Sequence, residues 1–298
     1  MQRPDVLVLG AGGTIGAAWL GGLLAGIVSE TGIDFAACEQ IVGTSAGSIV
    51  AADLLAGVEP RAPTATGVAS NGSRNGSLPA GDEPAVDERL RGRAGRLGAG
   101  LASAAGTSLA PLALSLGRAP GALVRAAALA RIDASRGSLD DLGARIAGHD
   151  LRFDGRLRIA CVARARGRRV VFGAPGAPAA TVAEAVQASC SIPGVYSPVR
   201  IGDYEYVDGA VWSPTNMDAA PALRDTHVLC LAPMAAQLGA RERHPAVRAA
   251  TTAAIRLETL ALRRRGAVVT VVIPEPASPD EHARVTGFRQ GRALGLSG

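Results

Sequence analysis

A serine held between two glycines is the residue best placed to do chemistry in this chain. Gly43-Thr44-Ser45-Ala46-Gly47 follows the apolar pair Ile41-Val42 and precedes the apolar run Ile49-Val50-Ala51-Ala52. Strand, tight turn bearing Ser, then helix is the pattern of a nucleophile elbow. The flanking glycines fit that reading, because a Cβ on either side of so tight a turn would strike neighbouring backbone. The helix that follows would aim unpaired N–H groups and a positive dipole end at the serine. Its chemistry would be nucleophilic attack through the hydroxyl. With 38 Gly among 298 residues, the five-residue pattern alone also arises by chance.

The elements around Ser45 must position it. Val6-Leu7-Val8-Leu9 reads as a buried strand, Gly10-Ala11-Gly12-Gly13-Thr14-Ile15-Gly16 as a glycine-rich loop, and the apolar stretch through Val28 as a helix. A second strand is expected over Glu39–Val42, ending at the elbow. Residues 6–45 then form one β-α-β unit. If its strands are parallel neighbours, they end at the same sheet edge. The loop and Ser45 would lie side by side, and bare backbone N–H groups beside a serine are what an oxyanion hole requires.

Two other readings of this region fit less well. Gly10, Gly12 and Gly16 resemble a dinucleotide fingerprint, but Ile15 stands at the third glycine position and no acid ends the second strand. A nucleotide-dependent oxidoreductase is therefore a minor alternative. Val6 to Ser29 is 24 residues without a charge, long enough to span a membrane. Seven of them are glycine, clustered at the expected turn, so a buried strand-loop-helix explains the run better. A signal peptide is not expected, since no basic n-region or small-residue cleavage pattern is present.

Composition narrows the class. One large domain spanning 1–298 is expected, with an insertion. The hydrophobic content is 48% and aromatics only 3%, so packing must rest on Ala, Val and Leu. All 31 basic residues are arginine, as a GC-rich genome would favour. The net charge of +5 is matched by residues 86–131 alone, where seven arginines face Asp87 and Glu88. A basic segment favours anionic surfaces. No nucleic-acid motif or aromatic stacking platform accompanies it, so an anionic membrane is the expected contact, and a solvated basic face the plainer one. Cys38, Cys161, Cys190 and Cys230 have no CxxC spacing and read as buried reduced thiols of a cytoplasmic protein. His149, His227, His244 and His282 lack metal-ligand spacing, and no metal is expected.

Along the chain, 59–84 reads as a flexible loop, rich in Pro, Asn-Gly, Ser and Thr. Residues 85–150 read as a helical insertion, with Leu97, Leu101, Leu109, Leu112 and Leu116 on one face. The segment 59–131 is a candidate cover over the site and anionic-lipid contact. Leu157–Ala163 and Arg169–Phe172 form an expected hairpin. Val182–Ser189 is an expected helix capped by Thr181, with Glu184 at capping-box spacing. Tyr204–Val207, His227–Leu231 and Ala267–Ile273 read as strands and Ala246–Arg265 as a helix.

Ser45 needs a base. None of the four histidines sits in a loop with a signature. Asp208 ends the strand Tyr204–Val207 and opens Asp208-Gly209-Ala210. Its carboxylate would reach Ser45 if both lie at one sheet edge. An ordinary Asp-Gly turn accounts for the same residues.

The Gly10–Gly16 loop, the Ser45 motif and Asp208-Gly209-Ala210, in that order, resemble the patatin-like phospholipase family. Ala188-Ser189-Cys190-Ser191-Ile192-Pro193-Gly194 resembles the segment these proteins carry between elbow and aspartate. The resemblance implies a three-layer α/β/α sandwich with a mainly parallel central sheet and a helical insertion. It implies hydrolysis of lipid acyl esters of the phospholipase A or lysophospholipase type, by a Ser-Asp dyad without histidine, metal or cofactor. Ser45 would be the nucleophile and Asp208 the base. Gly12 and Gly13 would donate to the oxyanion, with Gly10, Gly16, Gly43, Gly47 and Gly209 shaping the motifs. Phospholipid or another lipid ester is the implied substrate. Ile15 departs from relatives that carry Arg or Lys there, which bears on rate and head-group preference. A non-catalytic lipid-binding protein on the same fold is the alternative.

Overall fold

The computed structural model describes residues 2–61, 118–132, 137–235 and 245–274. The expected helical face over 97–117, and all but the first residues of the 59–84 loop, lie outside them.

The first β-α-β unit forms as its pattern dictates. Strand β1 (Val6–Leu9) pairs in parallel with β2 (Gln40–Gly43), Leu9 opposite Gly43. Helix α1 (Gly13–Thr31) is the crossover between them. It is long and apolar enough to cross a membrane by length and composition. In this fold its Trp19, Leu20 and Leu24 are in the core. Gly32, in the left-handed region, ends it. Helix α2 (Ala46–Leu55) leaves directly from the serine turn.

The other strands extend the sheet on both sides. They are β3 (Leu157–Ala163), β4 (Arg168–Phe172), β5 (Val199–Ile201), β6 (Tyr204–Asp208), β7 (His227–Leu231) and β8 (Val268–Val272). Strands β8, β7, β1, β2 and β3 run parallel. Strands β4 and β6 pair antiparallel with β3, and β5 antiparallel with β6. The sheet is mixed and mainly parallel, as expected. Strand β5 was not anticipated; three residues with one exposed arginine carry too little alternation to read.

Period-two alternation sorts the strand side chains into two core layers. Leu7, Leu9, Ile41, Leu157, Ile159 and Leu231 face α1, α2, α4 (Asp140–Ala147) and α5 (Val182–Ser189). Val6, Val8, Val42, Val228 and Cys230 face α6 (Pro245–Arg264), through Ile255 and Leu262. Helix α3 (Arg118–Ala130) sets Leu129 against Val162, Val207 and Val211. This is a three-layer α/β/α arrangement. Helix α5 carries the expected capping box. The Glu184 N–H donates to Thr181 Oγ1 (3.1 Å), and the Thr181 N–H donates to Glu184 Oε2 (2.7 Å).

The two elbow glycines allow close backbone contact. A Cβ on Gly43 would lie 2.6 Å from Ser48 Cα, and one on Gly47 would lie 2.0 Å from the Leu9 carbonyl oxygen. Both obstacles are backbone and cannot rotate away. Gly47→Ala is therefore expected to cost more than about 3 kcal/mol, read as a lower urea midpoint. An unchanged midpoint would contradict the packing described.

Candidate active site

The serine turn is strained. Ser45 has φ 51° and ψ −122°, a conformation that non-glycine residues keep only when their surroundings over-determine it. Those surroundings are specific hydrogen bonds. The Ser45 N–H donates to Ser189 Oγ (2.9 Å), and Ser189 donates in turn to the Ala160 carbonyl (2.8 Å). Ser48 Oγ donates to the Ser45 carbonyl (2.6 Å). On the other side, the Thr44 N–H donates to the Leu9 carbonyl (3.0 Å). Ser45 is thus pinned between β3 and β1, its hydroxyl the one group left to point outward.

That hydroxyl donates to Asp208 Oδ2 at 2.8 Å. Asp208 reaches it through an arrangement the sequence does not display. Strand β6 runs antiparallel to β3, against the direction of β2. Strand β2 pairs with β3 as far as Gly43 opposite Ile159; β6 pairs from Ala163 back to Asp208 opposite Cys161. The two registers do not overlap, and β4 pairs with β3 over 159–163. So β6 takes up the β3 edge where β2 leaves it, and the two strands end facing one another. Ser45 and Asp208 meet at that junction.

Asp208 also makes the turn that its Asp-Gly sequence suggests. Its Oδ1 accepts from the Ala210 N–H (2.7 Å), capping the short 3-10 turn Gly209–Val211. One oxygen holds the turn and the other holds the serine. The carboxyl is buried, and burial pushes its pKa up from 3.8 to about 7, against the lowering effect of the Ala210 and Ser45 hydrogen bonds. A carboxylate so placed is a stronger base than one in water.

A cavity of about 260 Å³ lies over the pair. Gly12 and Gly13 form part of its wall, with Ile192, Pro193, Val211 and Met234. Asp208 is the one ionisable side chain among its described lining residues. The backbone N–H groups of Gly12, Gly13 and Ala46 have no protein partner among the described residues. Gly13, at φ 59°, turns the chain into α1. Ile15 is exposed at the start of that helix. Val211 is backed by Leu129 of α3, which Arg125 anchors. The buried Arg125 donates from Nε to the Gly167 carbonyl (2.6 Å), its guanidinium lies 4.2 Å from the centre of the Trp212 ring, and burial lowers its pKa to about 10.

The other candidates fall elsewhere. His149 bonds to Asp53, and His227 is exposed at the start of β7; neither is bonded to Ser45. All four cysteines are free and buried. Cys190 lies behind the elbow, 3.9 Å from Ser48 Oγ, and burial followed by the Asp208 charge raises its thiol pKa. It is a neutral packing group there rather than a competing nucleophile. Sequence reasoning missed Ser189 as the acceptor of the Ser45 N–H. The Ala188–Gly194 segment stands out in the sequence, but no local signal separates Ser189 from Ser191.

The model of the family described as patatin-like phospholipase matches residues 7–221. Among solved structures, VipD from Legionella pneumophila is 17% identical, with a TM-score of 0.43 over 99% of this chain and 66% of that one. The type III effector protein ExoU is 16% identical, with a TM-score of 0.35 over 99% of this chain and 52% of that one. ExoU in its heterodimeric complex with SpcU, from the type III secretion system of Pseudomonas aeruginosa, is 23% identical, with a TM-score of 0.36 over 99% and 51%. This chain spans between about half and two thirds of the length of those proteins. No curated protein matches it.

Proposed function

Because the chain belongs to the patatin-like phospholipase family, a family of lipid hydrolases, we propose that it hydrolyses lipid acyl esters of the phospholipase A or lysophospholipase type through a Ser45-Asp208 dyad. The observation that carries this reading is the 2.8 Å hydrogen bond from Ser45 Oγ to Asp208 Oδ2 at the floor of an apolar pocket.

The steps follow from the groups present. Ser45 Oγ attacks the ester carbonyl as its proton passes to Asp208. The N–H groups of Gly12 and Gly13 receive the developing oxyanion. Asp208, now protonated, gives its proton to the departing alcohol, leaving an acyl ester on Ser45. Water then attacks that ester, again losing its proton to Asp208, and the fatty acid leaves as Ser45 is reprotonated. A base with a pKa near that of its medium can both take and return the proton. No imidazole is needed, because Asp208 contacts the hydroxyl directly. The pocket's apolar wall suits an acyl chain better than a polar one. The buried free thiols favour a reducing, cytoplasmic setting, and the basic 86–131 segment favours peripheral contact with an anionic membrane.

The dyad predicts a pH profile. Asp208 must be ionised to act, and its pKa is about 7. kcat/KM on 4-nitrophenyl butyrate is expected to climb about tenfold per pH unit below 7 and to level off above it. Steady-state kinetics between pH 5 and 9 check this. A profile flat across that range contradicts the base assignment, and no turnover on any ester favours the lipid-binding alternative.

A further inference from the structure

We infer that Asn216 is a positioning residue of the active site: from a buried loop beneath the dyad, its carboxamide ties the serine turn to the aspartate loop and so fixes the Ser45–Asp208 geometry. The inference rests on the dyad reading above.

Asn216 is fully buried and sits in the left-handed region at φ 48°, ψ 31°. Asparagine tolerates that conformation better than most side chains do. Its carboxamide is fully engaged. The two Nδ2 protons are shared among three acceptors, Thr44 Oγ1 (3.2 Å), the Gly209 carbonyl (3.2 Å) and the Ser213 carbonyl (2.7 Å). Thr44 immediately precedes the nucleophile, and Gly209 immediately follows the base. A single side chain therefore bridges the two chain segments whose separation sets the reactive hydrogen bond. Oδ1 accepts from the Arg169 guanidinium (3.3 Å), which also grips Asp218.

The rest of the loop reinforces the same junction. The Pro214 carbonyl accepts the Ala11 N–H (2.8 Å), at the edge of the glycine loop. The Thr215 carbonyl accepts from Thr44 Oγ1 (3.4 Å). From below, the buried Glu258 of α6 accepts from Thr215 Oγ1 and from the Met217 N–H (3.0 Å). Ser189 holds the elbow on the β3 side; Asn216 holds it on the side of β1. A strained turn needs both, since nothing intrinsic to Ser45 favours φ 51°.

The test uses Asn216→Gly and Thr44→Val, singly and together, on the full chain. Glycine accepts the left-handed backbone but deletes the carboxamide; valine keeps the threonine volume but deletes the hydroxyl. With 4-nitrophenyl butyrate, N216G is expected to lose about a hundredfold in kcat, as misplacement by about 1 Å does, with KM nearly unchanged. Labelling of Ser45 by a fluorophosphonate should slow in parallel. The apparent pKa of kcat/KM should rise, because the Ser45 hydrogen bond that lowers the Asp208 pKa loosens. T44V should lose part of the same activity, and the double variant should lose less than the product of the two single losses. A merely structural role would lower Tm and leave kcat per folded molecule and the pH profile in place. N216G at wild-type kcat, or fully multiplicative losses, overturns the inference. If N216G does not fold, T44V decides: wild-type kcat in that variant overturns it. Ser45→Ala is run alongside, and turnover surviving in it would refute the dyad reading instead.

Discussion

Asp208→Asn is expected to lower kcat on a soluble ester by roughly 10³-fold, the middle of the range for losing a general base, while making the protein more stable in alkali. The two effects share one cause. Asparagine fits the site: its Oδ1 can accept from Ala210, and its amide can face Ser45 Oγ where Oδ2 now stands at 2.8 Å. It cannot take a proton. The wild-type carboxyl is ordinarily ionised above 3.8 but in the fold only above about 7, because it is buried. A carboxyl whose folded pKa is raised contributes fully to stability below its unfolded pKa. That contribution is lost as pH rises through the folded value. Above pH 7 the wild type therefore carries an ionised, desolvated carboxylate at a cost of about 4 kcal/mol, and the variant does not. Urea midpoints at pH 4 and pH 9 read the difference. The variant should gain on the wild type between them, and parallel pH dependences would contradict a raised Asp208 pKa. A site that gives up stability for reactivity in this way is an ordinary trade in enzymes.

Ser45→Ala is expected to lose about 10⁶-fold in kcat, the scale seen when a nucleophile is deleted, with the fold retained. The serine hydroxyl does not cap α2. The Ser45 N–H bond to Ser189, the Ser48 bond to the Ser45 carbonyl and both glycine contacts survive the change. Alanine pays no more backbone strain than serine at this φ. Asp208 loses a partner that lowers its pKa, so its titration should move upward in the variant. Circular dichroism and Tm at pH 6 should match the wild type. A collapsed fold would mean that the hydroxyl also holds the elbow together.

Much of this site was legible because it is written locally. The alternation of Leu7 and Leu9 with Val6 and Val8 needs only the period of a strand. The elbow glycines needed only the recognition that a turn so tight excludes Cβ atoms. Thr181 and Glu184 declared a helix start by spacing alone. What could not be read depends on residues far apart in the chain. Ser189 looks like any helix-terminal serine until β3 brings the Ala160 carbonyl beneath it. Asn216 carries no local signal in Ser213-Pro214-Thr215-Asn216, because its partners Thr44 and Gly209 are set by the sheet. Asp208 was visible as a strand end, but the antiparallel entry of β6 was not, and that entry puts the carboxyl at Ser45. The turn reading and the proposed dyad are compatible, since one oxygen accepts from Ala210 and the other from Ser45.

Ile15 sits in the first turn of α1. It stands exposed beside the N–H groups proposed for the oxyanion. Its hydrocarbon adds apolar surface at the helix start.

The central claim, that Ser45 is the nucleophile of an acyl hydrolase activated by Asp208, is tested most directly by covalent capture. The protein is treated with a fluorophosphonate, digested, and the adduct located by mass spectrometry in wild type, Ser45→Ala and Asp208→Asn. The account predicts one stoichiometric adduct on Ser45 in the wild type, none in Ser45→Ala, and a much slower adduct on the same serine in Asp208→Asn. An adduct on any other residue, or ester turnover that survives in Ser45→Ala, would contradict it.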